Sequence, residues 1–344
     1  MEEHHWVLVT GGLGYIGSHV CFELCLQGYN VIIVDLMSQH SHLVFDNMKI
    51  LLANGPEAGQ LKLKYCDLAK EELHIPRHCD VIIHLAALKS VPESVEQPFL
   101  YYEHNLRCLF TVLNCAKLWG NEPAFVFSSS ATVYGYPVKL PVTEKHPIKP
   151  TNPYGETKVI CEQLLRNLSE ASSSPIRSTI VLRYFNPVGA HPSGLIGESP
   201  TSGNLMAAIC RTLGKEEKSL NVYGKDHATM DGTQVRDYLH VMDLATAHVS
   251  AVKRAIKVQR PREYLEINLG RGKGISVQEM ISAMESVTNL KIPVFYYSHG
   301  RKGDVDEVYA SCERAYIILG WKASKTIEDM CKDAWNYYRK IKNL

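Results

Sequence analysis

The fold is decided by WVLVTGGLGYIGSH, residues 6–19. Residues 6–10 are apolar or β-branched, which is typical of a strand buried on both faces of a parallel sheet. Glycines follow at positions 11, 14 and 17, and residues 15–26 have the pattern of an amphipathic helix. Such glycines allow a tight turn, close approach of the backbone to a pyrophosphate, and close packing of helix on strand. Because a strand precedes the loop and a helix follows it, the stretch predicts a dinucleotide-binding unit.

A second buried strand is predicted over residues 30–34, and it ends at Asp35. In dinucleotide-binding folds an acidic residue about 20 positions beyond the glycine loop binds the adenosine ribose hydroxyls. The next basic residue is Lys49, so no nearby cation is expected to meet a 2′-phosphate. The sequence therefore favours NAD over NADP, although Asp35 could also be a plain turn residue at a strand end.

Strands and helices continue to alternate along the chain. Further short apolar strands are predicted over residues 63–66, 80–85, 124–128 and 179–184, and a last one ends at residues 268–270. A 3.6-residue apolar pattern predicts a long helix over residues 98–119 that contains Asn105. We expect an α/β fold with a doubly wound (Rossmann) parallel sheet, whose ligands bind at the carboxyl ends of the strands.

The second half of the chain has a different pattern, with short elements separated by Gly and Pro. We expect residues 1–185 to form mainly an NAD-binding domain, to which a later segment, about 233–272, returns. Residues 186–344 are expected to form mainly a smaller C-terminal mixed α/β substrate-binding lobe.

Composition limits the possible partners and location. The chain has 344 residues, 37 of them basic and 36 acidic, so that a net charge of +1 predicts no binding to nucleic acid or to an anionic membrane. Ten cysteines without a Cys-x-x-Cys pattern predict reduced, buried thiols, and no metal site is predicted. No run of about 18 apolar residues occurs, and a strand begins almost at once, which leaves no room for a signal peptide. We expect a cytoplasmic protein.

A candidate catalytic pair lies at the start of a later helix. With Asn152 as cap and Pro153 at the first helical position, Tyr154 and Lys158 lie at i and i+4 on one face. A cation beside a phenol is expected to lower the pKa of the phenol from about 10, which makes it usable as a base near neutral pH. Ser130 follows a predicted strand and could pass a proton to Tyr154. The same spacing also occurs in ordinary surface helices, and consecutive serines also occur in polar loops.

Motifs from one end of the chain to the other resemble the extended short-chain dehydrogenase/reductase family, and within it the enzymes that epimerise UDP-hexoses at C4. The motifs are VTGGLGYIGSH at 9–19, FSSSATVYG at 127–135, NPYGETK at 152–158, LRYFNPVGAHPSG at 182–194 and DGTQVRDYLHVMDLA at 231–245. The first three are shared among many sugar-nucleotide enzymes. The last two, together with residues 204–206 and 301–305, are more specific.

The resemblance implies an NAD-dependent isomerase that interconverts UDP-galactose and UDP-glucose. In this interpretation Tyr154 takes the proton of the 4-hydroxyl with help from Ser130, Lys158 bonds the nicotinamide ribose, and C4 transiently gives its hydride to bound NAD+. The resemblance also implies a UDP-hexose substrate and a homodimer formed by the helices near residues 98–119 and 154–168, although an apolar helix face that packs on the protein's own core would give the same pattern.

The resemblance assigns two overlapping sets of site residues. Those implied for NAD are Gly11, Gly14, Tyr15, Ile16, Gly17, Asp35, Asp67, Leu68, Leu85, Ala86, Ala87, Lys89, Asn105, Tyr154, Lys158 and Tyr184. Those implied for the UDP-sugar are Lys89, Ser130, Tyr154, Asn186, Asn204, Leu205, Asn221, Val222, Tyr223, Arg236, Arg301, Asp304 and Val308. The planar guanidinium groups of Arg236 and Arg301 suit a pyrophosphate, although either one alone could be a solvated surface residue.

Three positions depart from the family pattern near the cofactor. Leu36 replaces an Asn after the ribose-binding Asp, Ala87 replaces a Gly, and Pro92 replaces a Gly. If the gap at position 87 is tight, the added methyl is expected to weaken retention of the dinucleotide, because overpacking typically costs about 1–3 kcal/mol.

Val308 occupies a position at which the family varies. A bulky Tyr there is associated with closing the pocket to 2-acetamido sugars, and Val is small. We therefore expect UDP-GlcNAc and UDP-GalNAc to be interconverted as well, unless the neighbouring Asp306 and Glu307 close the site.

Two other functions remain open from the sequence. A sugar-nucleotide 4,6-dehydratase needs an acid pair beside the active-site hydroxyl, whereas Ala131 and Thr132 follow Ser130. A non-catalytic NAD-sensing protein on the same fold usually lacks the Tyr or the Lys, and this chain has both.

Overall fold

The protein is described from a computed structural model, which covers residues 5–53, 55, 58–257, 262–300 and 305–344. Its strands are β1 (Trp6–Thr10), β2 (Asn30–Asp35), β3 (Leu61–Tyr65), β4 (Val81–His84), β5 (Ala124–Ser130), β6 (Ser178–Tyr184), β7 (Asn186–Val188), β8 (Leu220–Tyr223), β9 (Val235–Arg236), β10 (Tyr238–His240), β11 (Tyr264–Leu269), β12 (Ile275–Ser276), β13 (Val294–Tyr297) and β14 (Glu307–Val308).

The α-helices are α1 (Tyr15–Leu26), α2 (Gln39–Leu52), α3 (Val91–Glu96), α4 (Pro98–Trp119), α5 (Pro153–Glu170), α6 (Leu205–Leu213), α7 (Val241–Lys257), α8 (Val277–Thr288), α9 (Glu313–Leu319) and α10 (Ile327–Lys342). A short 3₁₀ helix, Ala131–Tyr134, follows β5 directly. Within the described residues, no helix combines the length and the apolar character needed to cross a membrane.

A seven-stranded parallel sheet forms the centre of the molecule, in the order β11-β6-β5-β4-β1-β2-β3. The order reverses on either side of β1, because β2 lies on one side of it and β4 on the other. In open α/β sheets ligands bind outside the carboxyl ends of the strands at such a reversal. The predicted doubly wound fold is confirmed.

Both faces of this sheet are covered by helices. Val7, Val9 and Ile33 belong to a core shared with α1 and α7, whereas Leu8 and Ile82 belong to a second core shared with α4 and α5. Because successive side chains of a strand point to opposite faces, an unbroken apolar run such as residues 7–9 serves both cores.

Two segments from the second half of the chain pack on the central sheet. β11 pairs in parallel with β6, and α7 packs on α1, within the region that was expected to return. α9 also packs on β11 and α7, which places residues 313–319 against the main core although they lie in the range assigned mainly to the second lobe. The domain boundaries remain a prediction.

The second lobe has its own core, built from α6, α8, α10 and the parallel pair β8 and β13. β9 links this lobe to the site, since it pairs antiparallel with β12 and parallel with β14.

β5 is longer than the predicted strand at residues 124–128. Ser128, Ser129 and Ser130 pair with Leu182, Arg183 and Tyr184 of β6. The loop alternative for these serines is therefore wrong, because their backbone pairs with β6 and the hydroxyls of Ser129 and Ser130 bond to Glu162 and to the Thr132 amide.

Candidate active site

The shape of the glycine loop between β1 and α1 depends partly on close backbone contacts within the protein. Gly11 has φ +69°, and a Cβ there would lie 2.8 Å from the Ala86 amide nitrogen. A Cβ at Gly17 would overlap the Gly11 carbonyl oxygen. At Gly14, by contrast, a Cβ would meet only that same oxygen, at 3.3 Å. The close approach of the protein's own backbone therefore requires the first and last glycines, and the middle one leaves room for a ligand.

The N-terminus of α1 suits an anion. No described side chain caps this helix, so the amide groups of its first turn are not satisfied by a cap. Asp35 lies beside the loop at the end of β2, where its Oδ2 accepts from the Leu13 amide at 2.7 Å and its Oδ1 from the Leu36 amide at 2.7 Å. Burial raises the pKa of Asp35. These residues fit a dinucleotide with its pyrophosphate at the helix and its ribose at the carboxylate.

Asn105 serves mainly to position its neighbours. Its Nδ2 donates to the Leu88 carbonyl at 3.1 Å and to Thr157 Oγ1 at 3.1 Å, and its Oδ1 accepts from the Leu88 amide at 2.8 Å. Both amide protons are used within the protein, so that this side chain ties the segment after β4 to α5.

The structure brings Ser130, Tyr154 and Lys158 together. Asn152 caps α5 as predicted, since its Oδ1 accepts from the Gly155 amide at 2.9 Å. Ser130 lies close enough to Tyr154 to lower the pKa of its phenol, and Lys158 Nζ lies 5.7 Å from the centre of the Tyr154 ring. Lys158 Nζ also donates to the Ser128 carbonyl at 2.8 Å.

The expected lowering of the Tyr154 pKa is wrong for this structure. Burial raises the pKa of Tyr154 to about 12, although the hydrogen bond with Ser130 lowers it. Burial also lowers the pKa of Lys158 to about 8. Lys158 is buried and Tyr154 is half-buried, and desolvation disfavours the ammonium and the phenolate alike.

His84 completes this part of the site and was missed in the sequence. It ends β4, its Nδ1 lies 2.8 Å from Thr10 Oγ1, and its ring stacks on Phe127. Burial, and then the charge of Lys158, lower the pKa of His84 to about 3, so the imidazole is neutral. The available signal was a polar residue at the end of an otherwise apolar strand.

A second group of site residues surrounds Glu198, which was also missed. Lys89 Nζ lies 3.4 Å from its Oε1, Ser202 Oγ donates to the same oxygen at 2.9 Å, and Asn204 Nδ2 donates to its Oε2. Asn204 also caps α6, which begins at Leu205, by accepting from the Ala207 amide. The structure thus brings Lys89 and Asn204 to one carboxylate.

Two of the predicted substrate residues lie on adjacent strands. Val308 of β14 pairs directly with Arg236 of β9, and the Arg236 Nη1 donates to the Val235 carbonyl at 2.9 Å. The Tyr223 ring stacks on Tyr297, with centroids 4.8 Å apart. Arg301 and Asp304 lie outside the described residues.

The side chains of several other predicted contact residues already contact other groups of the protein. Tyr15 donates its hydroxyl proton to the Gly189 carbonyl at 2.8 Å, the Tyr184 hydroxyl lies 2.6 Å from His248 Nε2, and Asp67 pairs with Lys70 at 3.1 Å. The side chains of Leu68 and Val222 are buried in hydrophobic cores; the Leu68 carbonyl accepts from Thr111 Oγ1 at 2.9 Å, and Val222 pairs with Tyr296 of β13.

The remaining predicted residues are exposed or partly exposed to solvent. Asn186 and Asn221 are exposed, and the Asn186 amide donates to the Asp237 carbonyl at 2.9 Å. Ile16, Leu85, Ala86 and Ala87 are partly exposed. No group of three or more His, Cys, Asp or Glu side chains suited to a metal ion is found within the described residues.

A parallel sheet of this order, with a tyrosine and a lysine one helical turn apart beside its switch point, is the architecture of an extended short-chain dehydrogenase/reductase. Residues 8–334 match the family model described as GDP-mannose 4,6 dehydratase. The chain is 44% identical over 337 residues to UDP-glucose 4-epimerase 2 of Arabidopsis thaliana, covering 96% of this chain and 94% of the relative. It belongs to the family of the UDP-glucose 4-epimerases.

Other comparisons agree. The UDP-glucose 4-epimerase of Bacillus subtilis is 41% identical over 336 residues, covering 96% of each chain. Among solved structures, the UDP-glucose 4-epimerase from Bifidobacterium longum in complex with NAD+ and UDP has a TM-score of 0.88 at 39% identity, covering 98% of this chain and 99% of that chain. The enzyme from Stenotrophomonas maltophila, with bound NAD and formylated UDP-arabinopyranose, has a TM-score of 0.90 at 39% identity over 99% of each chain.

Proposed function

We propose that this protein is an NAD-dependent isomerase that interconverts UDP-galactose and UDP-glucose by reversible epimerisation at C4. The observation that carries the proposal is the grouping of Ser130 and Tyr154, with Lys158 one helical turn away, beside the edge of the sheet at which a dinucleotide binds. The whole-chain relatives are named UDP-glucose 4-epimerases, which favours this function over a 4,6-dehydratase or a non-catalytic NAD sensor.

When bound, NAD+ supplies a hydride acceptor for C4 and a cationic ring that favours a neighbouring phenolate. Gly11, Gly14 and Gly17 would admit its pyrophosphate to the N-terminus of α1, and Asp35 would accept hydrogen bonds from the adenosine ribose. Lys158 Nζ would reach the nicotinamide ribose. Two solved relatives with bound NAD support this cofactor.

Tyr154 is the group that takes the proton of the 4-hydroxyl and later returns one. Its pKa of about 12 keeps it neutral at pH 7, so the phenolate requires positive charge nearby, which Lys158 contributes as long as it is protonated. Ser130 can relay the proton because it lies beside the Tyr154 phenol. The two sugars differ only in configuration at C4, and the same phenol therefore serves both directions with no net oxidation.

The UDP end is expected to hold the substrate while the hexose is held loosely. Arg236 and Arg301 would bind the pyrophosphate bidentately, with Lys89, Asn186 and Asn204 as further donors. Most binding charge thus belongs far from C4, since the hexose must present both faces of C4 to the same acceptor. The base would stack near Tyr223.

The decisive experiment is to incubate the purified protein with UDP-galactose and to measure UDP-glucose, with and without added NAD+. We expect conversion, with a larger rate after NAD+ is added if Leu36, Ala87 and Pro92 weaken cofactor retention. The absence of UDP-glucose under both conditions would contradict the proposal, and a 4-keto-6-deoxy product would support the dehydratase instead.

We further propose that UDP-GalNAc and UDP-GlcNAc are interconverted. Val308 lies on β14 directly beside Arg236, and its side chain is much smaller than a tyrosine. Replacing Val308 with Tyr is expected to reduce conversion of UDP-GalNAc at least about tenfold, because filling the pocket rejects the acetamido group. Conversion of UDP-galactose by the same variant should stay within about threefold of the original rate, which serves as the internal control. A wild-type protein that is active on UDP-galactose and inactive on both 2-acetamido sugars would refute this proposal.

A homodimer formed by α4 and α5 is a further proposal. Phe99 and Phe110, three helical turns apart on the same face of α4, are 78% and 51% exposed, and Ile160 of α5 is 39% exposed. Exposed apolar side chains that lie together on adjacent helices favour association with a second copy.

Replacing Phe99 and Phe110 together with Glu should convert the dimer to a monomer, because two buried carboxylates per subunit would lose their solvation. The molar mass is measured by light scattering after gel filtration. The matched control is Ile317→Glu on α9, a residue that is also exposed but lies on another element. A double variant that keeps the mass of the unaltered protein would contradict the assignment of this face.

A cytoplasmic location is also proposed. All ten cysteines are free in the structure and nine are buried, as expected of a protein from a reducing compartment.

A further inference from the structure

A buried ion pair lies on the helix that carries the catalytic tyrosine. Arg183 of β6 donates to Glu162 of α5 through two bonds, Nη2 to Oε2 at 2.6 Å and Nε to Oε1 at 3.1 Å. The side chains are only 2% and 7% exposed. A buried pair of this kind seldom stabilises a protein more than an apolar pair of the same size, so stability alone does not account for it.

The Glu162 carboxylate has a third partner, which points to the active site. Ser129 Oγ donates to Glu162 Oε1 at 2.5 Å, and Ser129 also pairs in register with Arg183. Ser129 immediately precedes Ser130, the residue whose proximity lowers the pKa of Tyr154. Successive side chains of a strand point to opposite faces, so holding Ser129 on one side sets the direction of Ser130 on the other.

The same pair also controls the helix. Tyr154, Lys158 and Glu162 follow one another at intervals of four residues and therefore share one face of α5. Fixing Glu162 to both β5 and β6 prevents rotation and sliding of that face relative to Ser130.

The network continues into the turn behind the active-site serine. Arg183 Nη1 donates to the Tyr134 hydroxyl at 3.0 Å, and that hydroxyl donates to Asn268 Oδ1 at 2.6 Å. Tyr134 belongs to the 3₁₀ helix that begins one residue after Ser130. The turn, the strand and the helix around the reacting groups are thus joined through one guanidinium.

We propose that Glu162 and Arg183 are positioning residues for the epimerase reaction, which hold Ser130 and Tyr154 in hydrogen-bonding register by locking α5 to β5 and β6. The proposal rests on the function proposed above. Neither residue reaches the substrate, and both act through Ser129 and through the rotation of α5.

The charge of Glu162 has a second effect on the same face. Burial lowers the pKa of Lys158, whereas Cys161, Cys108 and then Glu162 raise it; His84 also faces the ammonium. Loss of the carboxylate charge therefore makes Lys158 easier to deprotonate, and the ammonium that supports the Tyr154 phenolate is lost at a lower pH.

The test is Glu162→Gln, which keeps the shape of the side chain and removes its charge. We expect kcat for UDP-galactose to fall roughly 10- to 100-fold while KM changes less than about threefold, because small misplacement of reacting groups affects the rate more than binding. The decline of kcat/KM above about pH 8, which reports Lys158, should begin at a lower pH in the variant.

Two further variants separate positioning from stability. Ser129→Ala removes only the bond to Glu162, should fold normally, and is expected to lower kcat about threefold to tenfold. Asp333→Asn is the matched control. It removes the charge from another buried pair, in which Asp333 of α10 lies 3.2 Å from His240. It should lower the thermal midpoint and leave kcat within about twofold.

The outcomes are distinct. If Glu162→Gln does not fold, Ser129→Ala decides. If folded Glu162→Gln and Ser129→Ala both retain the wild-type kcat and pH profile, the positioning role is overturned. If the wild-type protein does not convert UDP-galactose, the proposed function itself is wrong, and this result is obtained without any variant.

Discussion

Tyr154→Phe should lower kcat for UDP-galactose about 10³-fold, within a range of roughly 10²–10⁴, since it removes the group that takes and returns the proton. UDP affinity should stay within about twofold, because the donors proposed for the diphosphate lie elsewhere. Initial rates of UDP-glucose formation give kcat, and calorimetric titration with UDP gives the affinity. Loss of both in parallel would indicate a binding role for the phenol rather than a catalytic one.

A matched control for this substitution is Tyr238→Phe. Burial raises the pKa of Tyr238 to about 12, the same value as for Tyr154, but Tyr238 lies on β10 and is not among the proposed catalytic residues. Its loss should leave kcat within about threefold. Turnover retained by Tyr154→Phe would refute the assignment of the base.

The second large effect is expected at the glycine loop. Gly17→Ala places a Cβ against the backbone of Gly11 and Gly12, which cannot yield as a flexible side chain could. We expect the free energy of unfolding to fall by about 1–3 kcal/mol, and bound NAD to be lost with the shape of the loop. Thermal unfolding and the NAD content after gel filtration measure the two effects.

Gly14→Ala should separate these effects. Its Cβ would meet the protein only at the Gly11 carbonyl oxygen, 3.3 Å away, and its φ of −71° suits alanine. Stability should change by less than about 0.5 kcal/mol, whereas NAD affinity should fall roughly 5- to 150-fold, the equivalent of about 1–3 kcal/mol. A Gly14→Ala protein that binds NAD as tightly as the unaltered chain would show that the pyrophosphate does not lie over this glycine.

The local elements of the fold could be predicted from the sequence with little error. β1, α1 and α4 have the predicted bounds, because each is specified by a contiguous pattern and by its own end signals. Ser128–Ser130 could not be recognised as strand, since polar residues enter a buried strand only when distant groups satisfy them. In this protein those groups include Glu162 and the backbone of β6.

The candidate site could be predicted in position but not in electrostatics. The spacing of Tyr154 and Lys158 correctly places both on one face, but it contains no information on burial, and burial reverses the expected direction of the Tyr154 pKa. Glu162 and Arg183 are charged residues of the kind usually found in water, and they lie 21 positions apart in the chain. Nothing in a local pattern distinguishes them from solvated side chains. Glu198 was missed for the same reason.

The pairing of β6 with β11 has a consequence for how the protein is made. β6 ends at residue 184, but its outer neighbour is completed only at residue 269, after much of the second lobe. During synthesis on the ribosome, β6 therefore has an open edge until the later segment emerges. The face of α1 that α7 covers is exposed for the same time. An open strand edge is prone to pair with other chains. A fragment that stops near residue 185 would keep both the open edge of β6 and the uncovered face of α1. The central sheet can thus be completed only after residue 269 has been synthesised, when α8, β13 and α10 of the second lobe are still to follow.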